Sequence, residues 1–228
     1  SVIETTIETV DALLTPEGTV EQGRFGYVLD GRLNDSFKAA NLLLADNVSV
    51  RRVTTSDNRL RAGDFIVAAT ASDDVVAQIA QTTGVNFSPS NVDATRVSEP
   101  LRQTRIGMYQ RYYGGNMDEG WTRWLLEDFA FPYESLMDAT ITAGNLHENY
   151  DVIILPADSV ARMTGEPVES GARVRSRPED YPPAYRSGFG DEGVAALKSF
   201  VDQGGTLVTF AEAGNLPIQK FKLPVRNL

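Results

Sequence analysis

The chain has 228 residues, enough for one large α/β domain or two small ones with a core that needs no covalent staples. Its 31 acidic residues against 21 basic ones give a formal charge of −10, which repels phosphate backbones and anionic membrane surfaces and argues against nucleic acid as a partner. There is no cysteine, which excludes disulfides, thiolate metal sites and every thiol nucleophile.

Residues 1–24 mix Thr, Glu and Val without a lasting period and read as a lead-in segment. Residues 25–100 read as an N-terminal α/β half. Phe25 to Asp30 is a short apolar strand, and Asn34-Asp35 then caps a helix with Phe37, Ala40, Asn41 and Leu44 on one face. Val48 to Thr54 alternates as a strand does, completing a βαβ opening. A polar, hairpin-like stretch at Ser56 to Gly63 leads to a buried-type strand, Asp64 to Ala69. Ser72 to Thr83 is a helix with Val76, Ile79 and Ala80 inward, closed by Gly84. The polar stretch Asn86 to Thr104, with Pro89 and Pro100, reads as the connection between two halves.

Residues 101–228 carry the clearer pattern. Arg105 to Gln110 is a strand, Gly114-Gly115 a turn, and Asn116 the cap of a helix with Trp121, Trp124, Leu125 and Phe129 on one face, where Trp at helical spacing reads as core more often than as a platform that stacks a sugar or peptide ring. Tyr133 to Leu136 is extended, and Tyr150 to Pro156 is the near-continuous apolar run of a central parallel strand. Asp191 to Gln203 is a helix with Val194, Leu197, Phe200 and Val201 inward; Gly204-Gly205 stops it and Thr206 to Phe210 returns as a strand. The alternation predicts a doubly wound, mostly parallel sheet with helices on both faces. No apolar run approaches the roughly 20 residues that span a bilayer, so no membrane is expected.

Few residues suggest chemistry. His147 is the one imidazole and reads either as a general base or as a surface histidine in the turn before a strand. Glu212 and Asp158 each follow a strand, where crevices of open α/β sheets lie, and read as proton-transfer or ligand groups or as loop carboxylates. Gly114-Gly115-Asn116 offers free backbone N–H groups, yet Asp118 and Glu119 come next and repel a phosphate. No cofactor is implied. The long segment between Asp158 and Gly190 is a lid or an insertion; within it Arg173, Arg175, Tyr181, Tyr185 and Arg186 form the one basic, aromatic stretch, suited to a carboxylate or a neighbouring domain.

Five runs carry a family resemblance: RIGMYQ at 105–110, MDEGWTRWLLEDF at 117–129, AGNLHENYDVIILPAD at 143–158, YPPAYRSGFGDEGVAALKSFVDQGGTLVTF at 181–210, and LPVRN at 223–227. They resemble the class I glutamine-amidotransferase-like domain found C-terminally in certain secreted bacterial zinc-carboxypeptidase-like proteins. The resemblance implies a flavodoxin-like sheet, an extracytoplasmic location, and a non-catalytic accessory or interaction role beside a peptidase catalytic domain outside this chain. That family binds zinc through a His-x-x-Glu pair and a second His, so a chain with one His is expected to hold no metal of its own. Class I amidotransferases set a Cys on a strand-to-helix elbow. The nearest counterpart, Phe210-Ala211-Glu212-Ala213-Gly214, puts Glu212 there with no His behind it. A hydrolase with an atypical Glu212 or His147 site, and a small-molecule module using the sheet crevice, stand as alternatives. The abrupt ends suggest a piece of a longer protein, and no feature sets an oligomeric state.

Overall fold

The computed structural model describes residues 9, 11, 16–57, 59–112, 115–166, 182, 185, 186 and 188–227. It divides into two compact units, Ser1–Arg102 and Gln103–Leu228.

The first unit runs β1 (Gly26–Leu29), α1 (Asn34–Ala45), β2 (Val50–Val53), β3 (Phe65–Ala68), α2 (Asp73–Thr83), β4 (Ser88–Pro89) and β5 (Ser98–Pro100). The strands form one sheet in the order β4-β1-β3-β2-β5, every neighbour antiparallel. This corrects the expectation of a parallel sheet through the N-terminal half. β1 and β2 do point the same way across α1, but β3 slots between them. Among the described residues of 54–64 there is no helix to carry the chain across the sheet, and β3 returns beside β2 as a hairpin partner. The first four strands and two helices follow the split βαβ order.

Period-2 alternation sorts β3. Phe65 and Val67 join the core under the helices with Tyr27, Leu29 and Val50, while Ile66 joins Val53, Leu60 and Ala94 on the other face. Helix α2 matches its periodicity: Val76, Ile79 and Ala80 are buried, and Gly84 ends it at φ 69, its N–H donating to the Ala80 carbonyl at 2.8 Å. Helix α1 is rotated relative to the reading above. Its buried residues are Ser36, Ala39, Ala40 and Leu43, and Phe37 and Leu44 pack at the margin. Two loop tips cross closely: a Cβ on Gly31 would lie 1.7 Å from the carbonyl oxygen of Gly63, which itself sits at φ +99.

The second unit has four parallel strands, β6 (Ile106–Tyr109), β7 (Tyr133–Leu136), β8 (Val152–Leu155) and β9 (Thr206–Thr209), in the order β7-β6-β8-β9. Its helices are α3 (Met117–Asp128), α4 (Asp138–Ala143), α5 (Leu146–Asn149), α6 (Val160–Thr164), α7 (Gly190–Asp202) and α8 (Asn215–Lys220). Central strand β8 is apolar on both sides. Ile153 and Leu155 meet Ile141 of α4, Leu146 of α5, Leu197 and Phe200 of α7 and Leu216 of α8, while Ile154 meets Met108 and Leu126 of α3. Helix thus covers both faces of this sheet.

Helix α3 begins as its sequence predicts, Asn116 Oδ1 accepting from the N–H groups of Asp118 and Glu119. Its inward face is corrected. Trp121, Trp124 and Leu125 are 65%, 57% and 51% exposed, and Leu126 is its buried apolar side chain. Beside Leu126, Glu119 is buried in a pair with Arg123, whose guanidinium also donates to Gln110 Oε1 at 3.3 Å and Ser135 Oγ at 3.1 Å and lies over the Tyr133 ring. The sheet-facing side of α3 is therefore partly ionic, and the large apolar residues face out. No helix among the described residues is long and apolar enough to cross a membrane.

Candidate functional site

The carboxyl ends of β6 and β8 are where the chain diverges to the two sides of the parallel sheet, the usual position of a crevice in such sheets. Here the chain's own side chains occupy it. Arg111, just past β6, and Asp158, just past β8, approach to 2.6 Å between Nε and Oδ2, with side chains 7% and 4% exposed. The contact is an ion pair rather than a well-angled hydrogen bond. Asp158 Oδ1 accepts from the Ser159 N–H at 2.9 Å, and Arg162 stands 3.9 Å away. Arg111 Nη2 donates to the Gly115 carbonyl at 2.6 Å, and Asn116 Nδ2 donates to the Ala157 carbonyl at 3.0 Å. One polar knot thus ties the loop after β6, the start of α3 and the loop after β8. Taking either partner of a buried pair away leaves an uncompensated charge, at a cost of about 3–5 kcal/mol.

A second buried polar group lies at the same edge. Tyr109 Oη donates to Asp138 Oδ1 at 2.7 Å, and Asp138 Oδ2 accepts from the Gly188 N–H at 2.8 Å. Burial, followed by the adjacent Asp138 charge, raises the Tyr109 phenol well above its ordinary range. Asp138 therefore anchors the return of the long segment to the sheet.

The residues singled out in the sequence separate. Asp158 is at this edge, held by Arg111. Tyr185 is 44% exposed and packs edge-on against Tyr112, ring centroids 4.8 Å apart; Arg186 is exposed. Arg173, Arg175 and Tyr181 lie outside the described residues. Glu212 is exposed in a 3-10 turn, Ala211–Gly214, and the strained residue of that turn is its neighbour Ala211, at φ 44. His147 is not at this edge. It lies in α5, before β8 begins, with its ring 6.3 Å from that of Phe200 and a buried Nδ1 that has no hydrogen-bond partner among the described residues. Among the described residues no group of three or more His, Asp or Glu is placed to hold a metal ion.

Sequence reasoning passed over a third place. In the first unit, a cavity of about 360 Å³ opens beside the end of β1, between the loop after β1 and the loop joining β2 to β3. Asp30, Arg32, Arg59, Arg61 and Asp64 line it, with Leu60. Arg61 Nη2 bridges Asp30 at 2.5 Å and Asp64 at 2.6 Å, and Arg32 pairs with Asp30 at 2.7 Å. These pairs, the Arg32 hydrogen bonds first, hold the Asp30 carboxyl well below the usual carboxylate range. The signal in the sequence is the density of Arg and Asp between Asp57 and Asp64.

No family model matches the chain, and no curated protein or solved structure matches it.

Proposed function

We propose that this chain is a non-catalytic interaction domain of amidotransferase-like, doubly wound architecture, acting beside the catalytic domain of an extracytoplasmic zinc-carboxypeptidase-like protein. The observation that carries the interaction role is the outward face of α3, where Met117, Trp121, Trp124 and Leu125 are all more than half exposed. These positions follow i, i+4, i+7, i+8 and form one stripe, the pattern of a helix that lies against another surface. Contiguous exposed aromatic area of this kind is costly in water and is characteristic of interaction sites. Asp118 borders the same face, so a partner surface that is mainly apolar with some basic character suits it.

The remaining support is chemical. The strand order β7-β6-β8-β9 agrees with the first four strands of the flavodoxin-like order. The crevice that such a sheet offers a substrate is filled by Arg111 and Asp158. The strained position after β9 holds a methyl group, Ala211, where acyl-transfer chemistry needs a nucleophile. His147, before β8, is too far along the fold to relay a proton to Glu212, after β9.

Trp121 and Trp124 are the only tryptophans beside eight tyrosines, so selectively excited tryptophan emission of this chain, read after subtraction of the partner's own emission, reports on the stripe. Titrating the chain with a purified zinc-carboxypeptidase catalytic domain is expected to give a saturable blue shift, which the double variant Met117→Gln, Leu125→Gln abolishes while keeping both fluorophores. Turnover of L-glutamine, acyl esters or peptides by the chain alone, lost on Glu212→Gln or His147→Ala, would overturn the non-catalytic reading. A shift that appears on simple concentration of the chain would transfer the stripe to a second copy.

A further inference from the structure

We infer that the cavity beside β1 in the first unit is a binding site for a small monocarboxylate with a short apolar body. The inference begins with hydrogen-bonding capacity that its lining leaves unused. Asp30 accepts from the Arg32 N–H at 2.9 Å, from Arg32 Nε and Nη2, and from Arg61 Nη2. Asp64 accepts from the N–H groups of Gly31 and Arg61, both at 3.1 Å, and from Arg61 Nη2. Asp57 Oδ1 is taken by the N–H groups of Arg59 at 2.8 Å and Leu60 at 2.7 Å. The carboxylates are thus largely satisfied within the protein.

The donors are not. Arg59 lines the cavity, and its guanidinium makes no hydrogen bond or close ion pair among the described residues, its charge acting on Asp57 only through space. A guanidinium offers five N–H groups in a planar fork that matches a carboxylate. Arg61 commits one of its terminal nitrogens, Nη2, to carboxylates, and Arg32 leaves Nη1 without a carboxylate partner. The Ser56 hydroxyl oxygen accepts from the Ala62 N–H at 2.9 Å, which leaves its proton to donate. A lining with surplus donors and few spare acceptors selects an acceptor ligand.

Charge and shape narrow the class. Three arginines and three aspartates line the cavity, so its formal charge is balanced, and a dianion meets Asp30 and Asp57 as well as the guanidiniums. A single carboxylate adds one negative charge to that balanced lining, half of what a dianion adds, and Arg59 is the guanidinium placed to meet it. Leu60, 4% exposed, and Val28 supply an apolar wall for a short hydrocarbon body. The volume of about 360 Å³ lies at the lower end of small-molecule sites, which fits a compact ligand. The walls are also fixed in advance. The close crossing of Gly31 and Gly63, and the bond from the Gly31 N–H to Asp64, hold the two loops together before anything binds.

The probe is 4-methylpentanoate, added to the full chain and followed through backbone amide shifts, with 4-methylpentanamide and inorganic phosphate as parallel titrations. The acid is expected to give saturable shifts at Gly31, Arg59 and Leu60, while the amide and phosphate do not. Arg59→Gln is expected to weaken the acid about ten-fold or more, the loss of a charge-assisted contact, with the melting temperature unchanged. Shifts that fail to saturate, equal binding of amide or phosphate, or an unaltered affinity in Arg59→Gln would each overturn the assignment.

Discussion

Tyr109 carries the clearest pH consequence of any single residue. Its phenol is buried at the end of β6 and gives its proton to Asp138, so the folded state holds that proton to a higher pH than the unfolded chain does. The group's contribution to stability is therefore complete below the ordinary tyrosine value of about 10 and drains away as the pH rises above it. Tyr133 and Tyr150, each pushed up to about 12 by burial and then by a hydrogen bond to Glu127 or Glu134, act in the same direction. Thermal melts between about pH 9 and 12 are expected to fall steeply for the natural chain and less steeply for Tyr109→Phe. Equal slopes would remove Tyr109 as the source. Asp30, in the cavity beside β1, has the opposite sense: its depressed carboxyl stabilises at neutral pH and ceases to as acid protonates it.

At the scale of elements, Gly120 is instructive. It lies within α3, is exposed, and a Cβ there would meet nothing within 4 Å. Glycine inside a helix costs about 1 kcal/mol relative to alanine, so Gly120→Ala is expected to raise the unfolding free energy by roughly 0.5–1 kcal/mol in urea titrations. No gain, or a loss, would mean that the space around this position is not open. The same helix marks the limit of what sequence reveals. Periodicity finds a face, and for α2 and α7 the apolar face is the buried one, with Val76 and Ile79 in the first and Val194, Leu197 and Phe200 in the second, although Val201, read as inward, is exposed at the end of α7. For α3 the same rule picks the wrong side, because the Glu119–Arg123 pair satisfies the sheet side through charge and the Trp side is left exposed. Strand β8 was legible from its unbroken apolar run, and β3 was legible as a strand. Its insertion between β1 and β2 was not, since local pattern encodes extension and burial but not the neighbour across the sheet. Of the site, Asp158 was visible because it follows an obvious strand. Its partner Arg111 lies far away in sequence, and no spacing rule connects the two.

The whole molecule has two separate foundations. The first unit's core clusters draw only on residues before Arg102, and the second unit's only on residues after Gln103. Each unit has the size of an ordinary domain and its own sheet with helices packed on it. Residues 103–228 expressed alone are therefore expected to melt cooperatively and give dispersed amide resonances. A fragment that stays unfolded would show that its stability depends on the first unit. The inferred carboxylate site and the aromatic stripe lie in different units, so they can be lost independently by mutation.

The crossing of Gly31 and Gly63 reaches beyond packing into what the sequence is free to become. Loop tips are ordinarily where proteins drift fastest, because a new side chain there extends into solvent. Here the two tips are held for different reasons: a methyl group at 31 runs into the carbonyl of 63, and a side chain at 63, though it has room, must adopt a backbone conformation that only glycine enters freely. Neither position gains freedom when the other changes. Lineages descending from this chain should therefore keep both glycines while the residues around them are exchanged, leaving two invariant points in otherwise variable loops.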